Sequence, residues 1–472
     1  MATLAGAART AGRTVPRMDQ AAYLAAREIC RALPSTGPPS STVVEFSLRS
    51  QGIIDPPPHM VIANLPVGLE DEVLDQLGGR FRQILGHKEF SRVGIGVVIP
   101  TATPRLQRVL VALLENRVDL EPMPRRLAMG QQVSLRFRAA SSHHGIQLVV
   151  TPPDGKTVTT PLAGEGLLSA PLACRRRGVY QVEVTGEGQF GPEVLANFPV
   201  YCDQDPPVRV TYAAVRPLGD DSEQLERELF EGTNRVRRKT RLPQLRREQR
   251  LTAVARKHSR DMRDNRFVGH VSPTTGRPID RLRAAGVLHL VVRENVAQAY
   301  STEEALRELL NSPAHRENIL SRDVTEMGIG IVVDRRASTA VMLVTQLFMK
   351  PGKAYNPATA KQDVLAAIRR GRSKVGLGLL KVDATLDQLA GEYVLEVIAG
   401  GDRKAKADAT LAAALRHLGN RFHRIDGLHV RVSVIDALEQ AEEIKRKRYS
   451  SVGIGVGQVG EQVLIFLLLA GE

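Results

Sequence analysis

The residues able to do chemistry gather in three short segments: Phe267-Val268-Gly269-His270, Arg293-Glu294-Asn295-Val296-Ala297 and Asn311-Ser312-Pro313-Ala314-His315. Two imidazoles and one carboxylate are ligand types that Zn²⁺ or another divalent cation prefers. The same set also matches some catalytic zinc sites that keep one position open to water. A plainer arrangement uses these groups to hydrogen-bond one another and brace a cavity wall. Three uses therefore stand open: a ligand-binding cavity, a weak metal site at His270, His315 and Glu294, and metal-dependent hydrolysis. All three require convergence, with the ring nitrogens of His270 and His315 within roughly 5 Å of each other beside Glu294. His258, upstream of His270, either reaches the cavity or covers the core. Ser259 beside it makes no nucleophile–base pair, because successive helix residues do not face each other. No residue is assigned as catalytic.

Helices and strands must hold these groups. The run Leu251-Thr252-Ala253-Val254-Ala255-Arg256-Lys257-His258-Ser259-Arg260-Asp261-Met262 has apolar residues three and four apart, the period of an amphipathic helix. Asn234 and Arg237 lie on a helix before it, and a third helix starts at about Thr302. Arg316 and Asn318 read as structural, fixing the loop around His315. Met327-Gly328-Ile329-Gly330 opens a strand whose glycines suit close approach of another backbone. They form no phosphate loop, since no GxGxxG or Walker pattern accompanies them.

In order and spacing, these segments resemble the CAP superfamily of cysteine-rich secretory, antigen 5 and pathogenesis-related proteins, closest to its bacterial SCP-like branch. The resemblance covers about residues 222–350. It implies a three-layer α-β-α sandwich with one cavity lined by two His and two Glu. His270, Glu294 and His315 match three of those four positions; the remaining Glu position falls on Ser312. The resemblance also implies an extracytoplasmic protein of the periplasm, outer surface or exterior. In the family, apolar clefts take up lipids or sterols, while other members act on proteins or cell walls. The leading expectation is a non-enzymatic module that binds an envelope lipid, glycan or protein. The alternative is a metal-dependent hydrolase of peptide or cell-wall material.

The Gly-Ile-Gly strand pattern recurs at Val93-Gly94-Ile95-Gly96 and Val452-Gly453-Ile454-Gly455, each followed by a second apolar run. Leu377, Leu380, Leu386 and Ala390 repeat the spacing of Leu242, Leu245, Leu251 and Ala255. Residues 18–122 and 361–472 therefore read as degenerate CAP-like copies, with Val432 or the run Ile62-Ala63-Asn64-Leu65 where Glu294 and its neighbours would stand. Between 123 and 205, alternating runs such as Val133, Leu135, Phe137 and Ile146, Leu148, Val150 predict about seven short strands in an immunoglobulin-like β-sandwich. The fold class is α+β, multidomain, with linkers at 203–221 and 350–360.

A net charge of +14 over 472 residues attracts polyanions, but the basic residues are spread out and no helix-turn-helix, zinc-finger or RRM pattern appears. Specific nucleic-acid binding is not expected. No 18-residue apolar run offers a transmembrane helix. Cys174 and Cys202 fall in the same β-domain and are either a disulfide or two buried thiols. Residues 1–17 lack the apolar core of a signal peptide and any matching apolar periodicity. The expectation is a reading frame that begins upstream of Met1, holding the first helix and a signal sequence.

Overall fold

The computed structural model describes residues 1–471 except 35–36, 67, 69, 102, 165, 213–214, 216–217, 220, 337–339 and 461. One compact unit comprises Met1–Arg281, Arg293–Arg322 and Met327–Leu347; the other comprises Leu282–Val292, Asp323–Glu326 and Phe348–Glu472.

The first unit opens with α1 (Ala2–Thr10), β1 (Arg17–Met18), α2 (Gln20–Ala32), α3 (Ser41–Ser50), β2 (His59–Pro66), α4 (Glu70–His87), β3 (Arg92–Val98) and β4 (Leu106–Leu114). The sheet order is β1-β3-β4-β2. α1 corrects the expectation of no matching helix before Asp19. Leu4, Ala7 and Ala8 form its buried stripe and join the core of Phe81, Leu85 and Val93. So the first layered segment reaches back past residue 18.

Next come β5 (Val118–Leu120), β6 (Arg126–Leu127), β7 (Gln132–Ala139), β8 (His144–Thr151), β9 (Val158–Pro161), β10 (Leu168–Ala173), β11 (Gly178–Gly188) and β12 (Gly191–Cys202). They form two sheets, β10-β7-β5 and β6-β12-β11-β8-β9. β5 lies within the segment expected to belong to the first copy, yet it pairs with β7. Inward residues of both sheets, Leu135, Phe137, Leu148, Val182 and Val184 among them, build one core. Cys174 and Cys202 are buried in that core and joined as a disulfide, with Cα atoms 5.3 Å apart. Cys30 is a buried free thiol on α2.

The central elements are α5 (Ser222–Lys239), β13 (Arg246–Arg247), α6 (Gln249–Asp264), α7 (Pro278–Ala284), β14 (His289–Ala299), α8 (Thr302–Asn311), α9 (Pro313–Leu320), β15 (Glu326–Asp334) and β16 (Val341–Pro351). Their sheet order, β13-β15-β16-β14, repeats the pattern of the first sheet. Glu248 caps α6 by accepting from the Leu251 N–H at 2.6 Å. α6 buries Leu251, Val254, Ala255, His258 and Met262 along one stripe. It lies directly on β15: a Cβ at Gly328 would stand 2.3 Å from the Leu251 carbonyl carbon, and one at Gly330 2.1 Å from the Arg256 nitrogen. The glycines are what allow this contact.

The remaining chain forms α10 (Ala360–Ser373), β17 (Lys381–Val382), α11 (Ala384–Ile398), α12 (Arg403–Leu418), β18 (Arg424–Val432), two short 3₁₀ turns, β19 (Tyr449–Val459) and β20 (Gln462–Gly471). The order is β17-β19-β20-β18. Gly453 and Gly455 meet the backbone of Leu386 and Ala390 on α11. All three Gly-Ile-Gly strands are thus interior to their sheets.

Candidate functional site

The segment carrying His270 follows α6 and is held from below by Asp261. That carboxylate accepts hydroxyl bonds from Thr274 at 2.9 Å and Thr275 at 3.3 Å, another from Ser272, and an amide bond from Asn265. Burial opposes its charge, but these four bonds outweigh burial and keep its carboxyl below the usual range. The loop therefore rests on an ionised anchor.

Glu294 projects from β14 and is 2% exposed in its side chain. Its Oε1 lies 2.9 Å from His270 Nδ1, and its Oε2 accepts from the Arg281 guanidinium at 2.5 Å. Arg281 also donates to the carbonyls of His270 at 3.0 Å and Gly276 at 2.7 Å. Burial works against the Glu294 charge; the bond to His270, that imidazole's attraction, Arg281 and His258 together overcome it and lower its pKa.

His315 sits in the first turn of α9, with its ring centroid 6.4 Å from that of His270. Burial, reinforced by His270, pushes the pKa of His315 down to about 3, so the ring is neutral at physiological pH. A polar chain fixes α9 to the sheet. Asn318 donates to the Glu294 carbonyl at 3.1 Å and to the Asn295 side chain at 2.8 Å. Asn295 donates to Gln346 at 3.1 Å, and Gln346 to Thr233 at 3.1 Å. Asn295, Gln346 and Thr233 are fully buried.

The structure sets His270 directly against Glu294, and places the His315 ring 6.4 Å, centroid to centroid, from that of His270. His258 stands behind them: its Nε2 bonds the Gly269 carbonyl at 2.9 Å and its ring lies 5.8 Å from Phe267. It braces the His270 segment from inside the core, and burial lowers its pKa. Ser312 is buried as the N-cap of α9, accepting from the His315 N–H at 3.5 Å. Arg316 leaves the site, with its guanidinium facing the turn at Gly155.

Among the described residues, no three His, Cys, Asp or Glu side chains are grouped so that they could hold a metal ion. Both Glu294 oxygens are already committed, one to an imidazole and one to a guanidinium. These residues do not fit a three-ligand centre. Sequence reasoning missed two groups. One is Arg281, on α7, which lies outside the three segments that carry the candidate residues. Glu183, on β11, accepts from the Ala314 N–H at 3.3 Å beside His315. Nothing in periodicity or motif joins residues 131 positions apart.

Residues 230–348 match the model of the cysteine-rich secretory protein family, CAP, and this segment is a CAP domain. An uncharacterized protein of Bacillus subtilis, YkwD, is 37% identical over 108 residues, which are 23% of this chain and 42% of the relative. An uncharacterized membrane protein of the same organism, YlbC, is 37% identical over 115 residues, 24% of this chain and 33% of the relative. The chain thus spans less than half the length of either. Among solved structures, an extracellular SCP-domain protein from Bacillus anthracis is similar over 50% of this chain and 67% of its own, at 22% identity and a TM-score of 0.26. An outer surface protein from Borrelia burgdorferi matches 29% of this chain and 99% of its own, at 22% identity and a TM-score of 0.26.

Proposed function

We propose that this is an extracytoplasmic bacterial CAP-domain protein whose central domain binds an envelope ligand, a lipid, glycan or protein, without turning it over. One observation carries the reading: Glu294, the carboxylate that a hydrolytic centre would need free, is buried and closed between His270 and Arg281. A carboxylate that is itself the general base or a metal ligand needs an oxygen free to reach the water or the ion. The same closed pair gives a rigid polar wall, which suits recognition. His270, with 16% of its side chain exposed, is the member of the pair that a ligand would meet.

The flanking layered segments read as degenerate copies of the CAP fold. The shared order of their sheets supports this, as does the repeated packing of glycine strand on helix backbone. The two-sheet segment reads as an immunoglobulin-like domain, on the strength of its facing sheets and single core. The disulfide favours an oxidising compartment. No helix among the described residues is long and apolar enough to cross a membrane.

The test is native mass spectrometry with metal analysis of the full chain purified from its own envelope fraction. A co-purifying organic ligand, lost in His270→Ala, is the expected result. Stoichiometric metal, with hydrolysis of peptide or cell-wall material that His270→Ala abolishes, would replace this reading with the hydrolase.

A further inference from the structure

The two histidine-bearing segments of the CAP domain are both gripped by one hairpin of the neighbouring β-sandwich. At the turn between β11 and β12, the Phe190 carbonyl accepts the backbone N–H groups of His270 and Val271, each at 2.8 Å. The Phe190 ring lies 5.1 Å from that of Phe267 and packs with Met262 and Leu343 of the CAP domain. Glycines on both sides permit this approach. A Cβ at Gly269 would stand 2.4 Å from the Phe190 Cβ, and one at Gly191 would meet Val271 Cγ2 at 3.0 Å.

Farther along β11, Val182 and Val184 point into the sandwich core, so Glu183 between them points out of it. On a free sandwich that carboxylate would face water. Here it is 0% exposed and reaches α9. It accepts from the Ala314 N–H at 3.3 Å, from the Asn197 amide at 3.1 Å and from the Ser312 hydroxyl. None of these partners is a cation. A carboxylate at the start of α9 satisfies an N–H group the helix leaves open and complements the helix dipole. Ser312, which lacks a carboxylate of its own, thus has one delivered to it by another domain.

We propose that the β11–β12 hairpin is a positioning clamp for the His270–Glu294–His315 site, with Phe190 fixing the His270 segment and Glu183 acting as the positioning residue for His315. The clamp rests on reading that site as the ligand site. The site is then a property of sandwich and CAP domain together, and whatever loosens the hairpin loosens both histidines at once.

The test uses the full, ligand-free chain labelled with ¹⁵N in its histidines, so it reads the clamp whether or not a ligand is ever found. Glu183→Ala and Phe190→Ala are expected to move the ring ¹⁵N signals of His315 and His270. Amide exchange at 269–271 and 314–316 should accelerate by about tenfold or more, while α6 stays protected. Glu183→Gln, which keeps an acceptor for Ala314, is expected to restore the His315 signal. Phe190→Leu reports on the anchor if the alanine variant does not fold. Variants that lower the unfolding temperature yet leave both ring signals and local exchange unchanged would overturn the clamp and leave only a structural joint.

Discussion

Arg281 decides the state of the site at the scale of a single residue. After the His270 bond, it is the further partner that lets Glu294 stay ionised where water cannot reach, and it also ties the His270 segment in place. Removing one partner of a buried pair strands the other charge, at a cost of roughly 3–5 kcal/mol. Arg281→Gln is expected to lose that much in denaturant unfolding. Arg281→Lys should recover little, because an ammonium cannot reproduce the forked bonds to one carboxylate and two carbonyls. Two other residues set opposing pH dependences. Burial raises Glu183 to about 7 from an ordinary 4.5, so between those values the folded chain holds a proton that the unfolded chain has released, and stability falls as pH rises. His315, lowered to about 3 from 6.5, does the reverse: its contribution is complete above pH 6.5 and is lost as pH falls. Glu183→Gln removes only the first effect. Its stability relative to the parent should rise by roughly 3 kcal/mol between pH 4.5 and 7, measured by urea unfolding at each pH. A flat difference would show that Glu183 titrates like an exposed carboxylate.

At the scale of elements, the strands that open with Gly-Ile-Gly tie sheet to helix. A methyl group at Gly330 would collide with the α6 backbone, which cannot rotate away as a side chain can. Gly330→Ala is expected to cost about 1–3 kcal/mol or more, read from the denaturation midpoint. Gly378→Ala, where nothing lies within 4 Å, serves as the control. This layer was legible in sequence because the glycines repeat at a fixed place beside apolar runs. Asp19, Glu248 and Asp383 each accept from the first turn of the helix they precede. Other elements were not legible. α1 is short and Ala-rich, so its buried stripe of Leu4, Ala7 and Ala8 leaves little hydrophobic contrast. β5 is three residues long and declares its sheet only by pairing with β7. His270, Glu294 and His315 were legible because spaced motifs carry them. The Arg281 bridge and the Glu183 contact were not, since both depend on tertiary approach rather than on period.

At the scale of the whole molecule, one covalent bond bears on both compartment and site. Cys174 and Cys202 close a loop with a sequence separation of 28 around β11, the strand that carries Glu183 and leads to Phe190. In the chain-entropy picture such a crosslink stabilises the sandwich by roughly 3–4 kcal/mol by restricting its unfolded state. Reduction should therefore weaken the sandwich first and, through the hairpin, loosen the segments bearing His270 and His315. That order separates it from a general loss of stability, in which all regions would exchange faster together. Hydrogen exchange with and without reductant distinguishes the two patterns. The same bond also reports where the protein matures. The chain has 3 cysteines, and Cys30 is the buried free thiol. Native protein trapped with acid and denatured without reductant is expected to react with one equivalent of maleimide, at Cys30. After reduction it should react with three. Three reactive thiols before reduction would place native maturation in a reducing compartment and remove the strongest support for export that the fold provides.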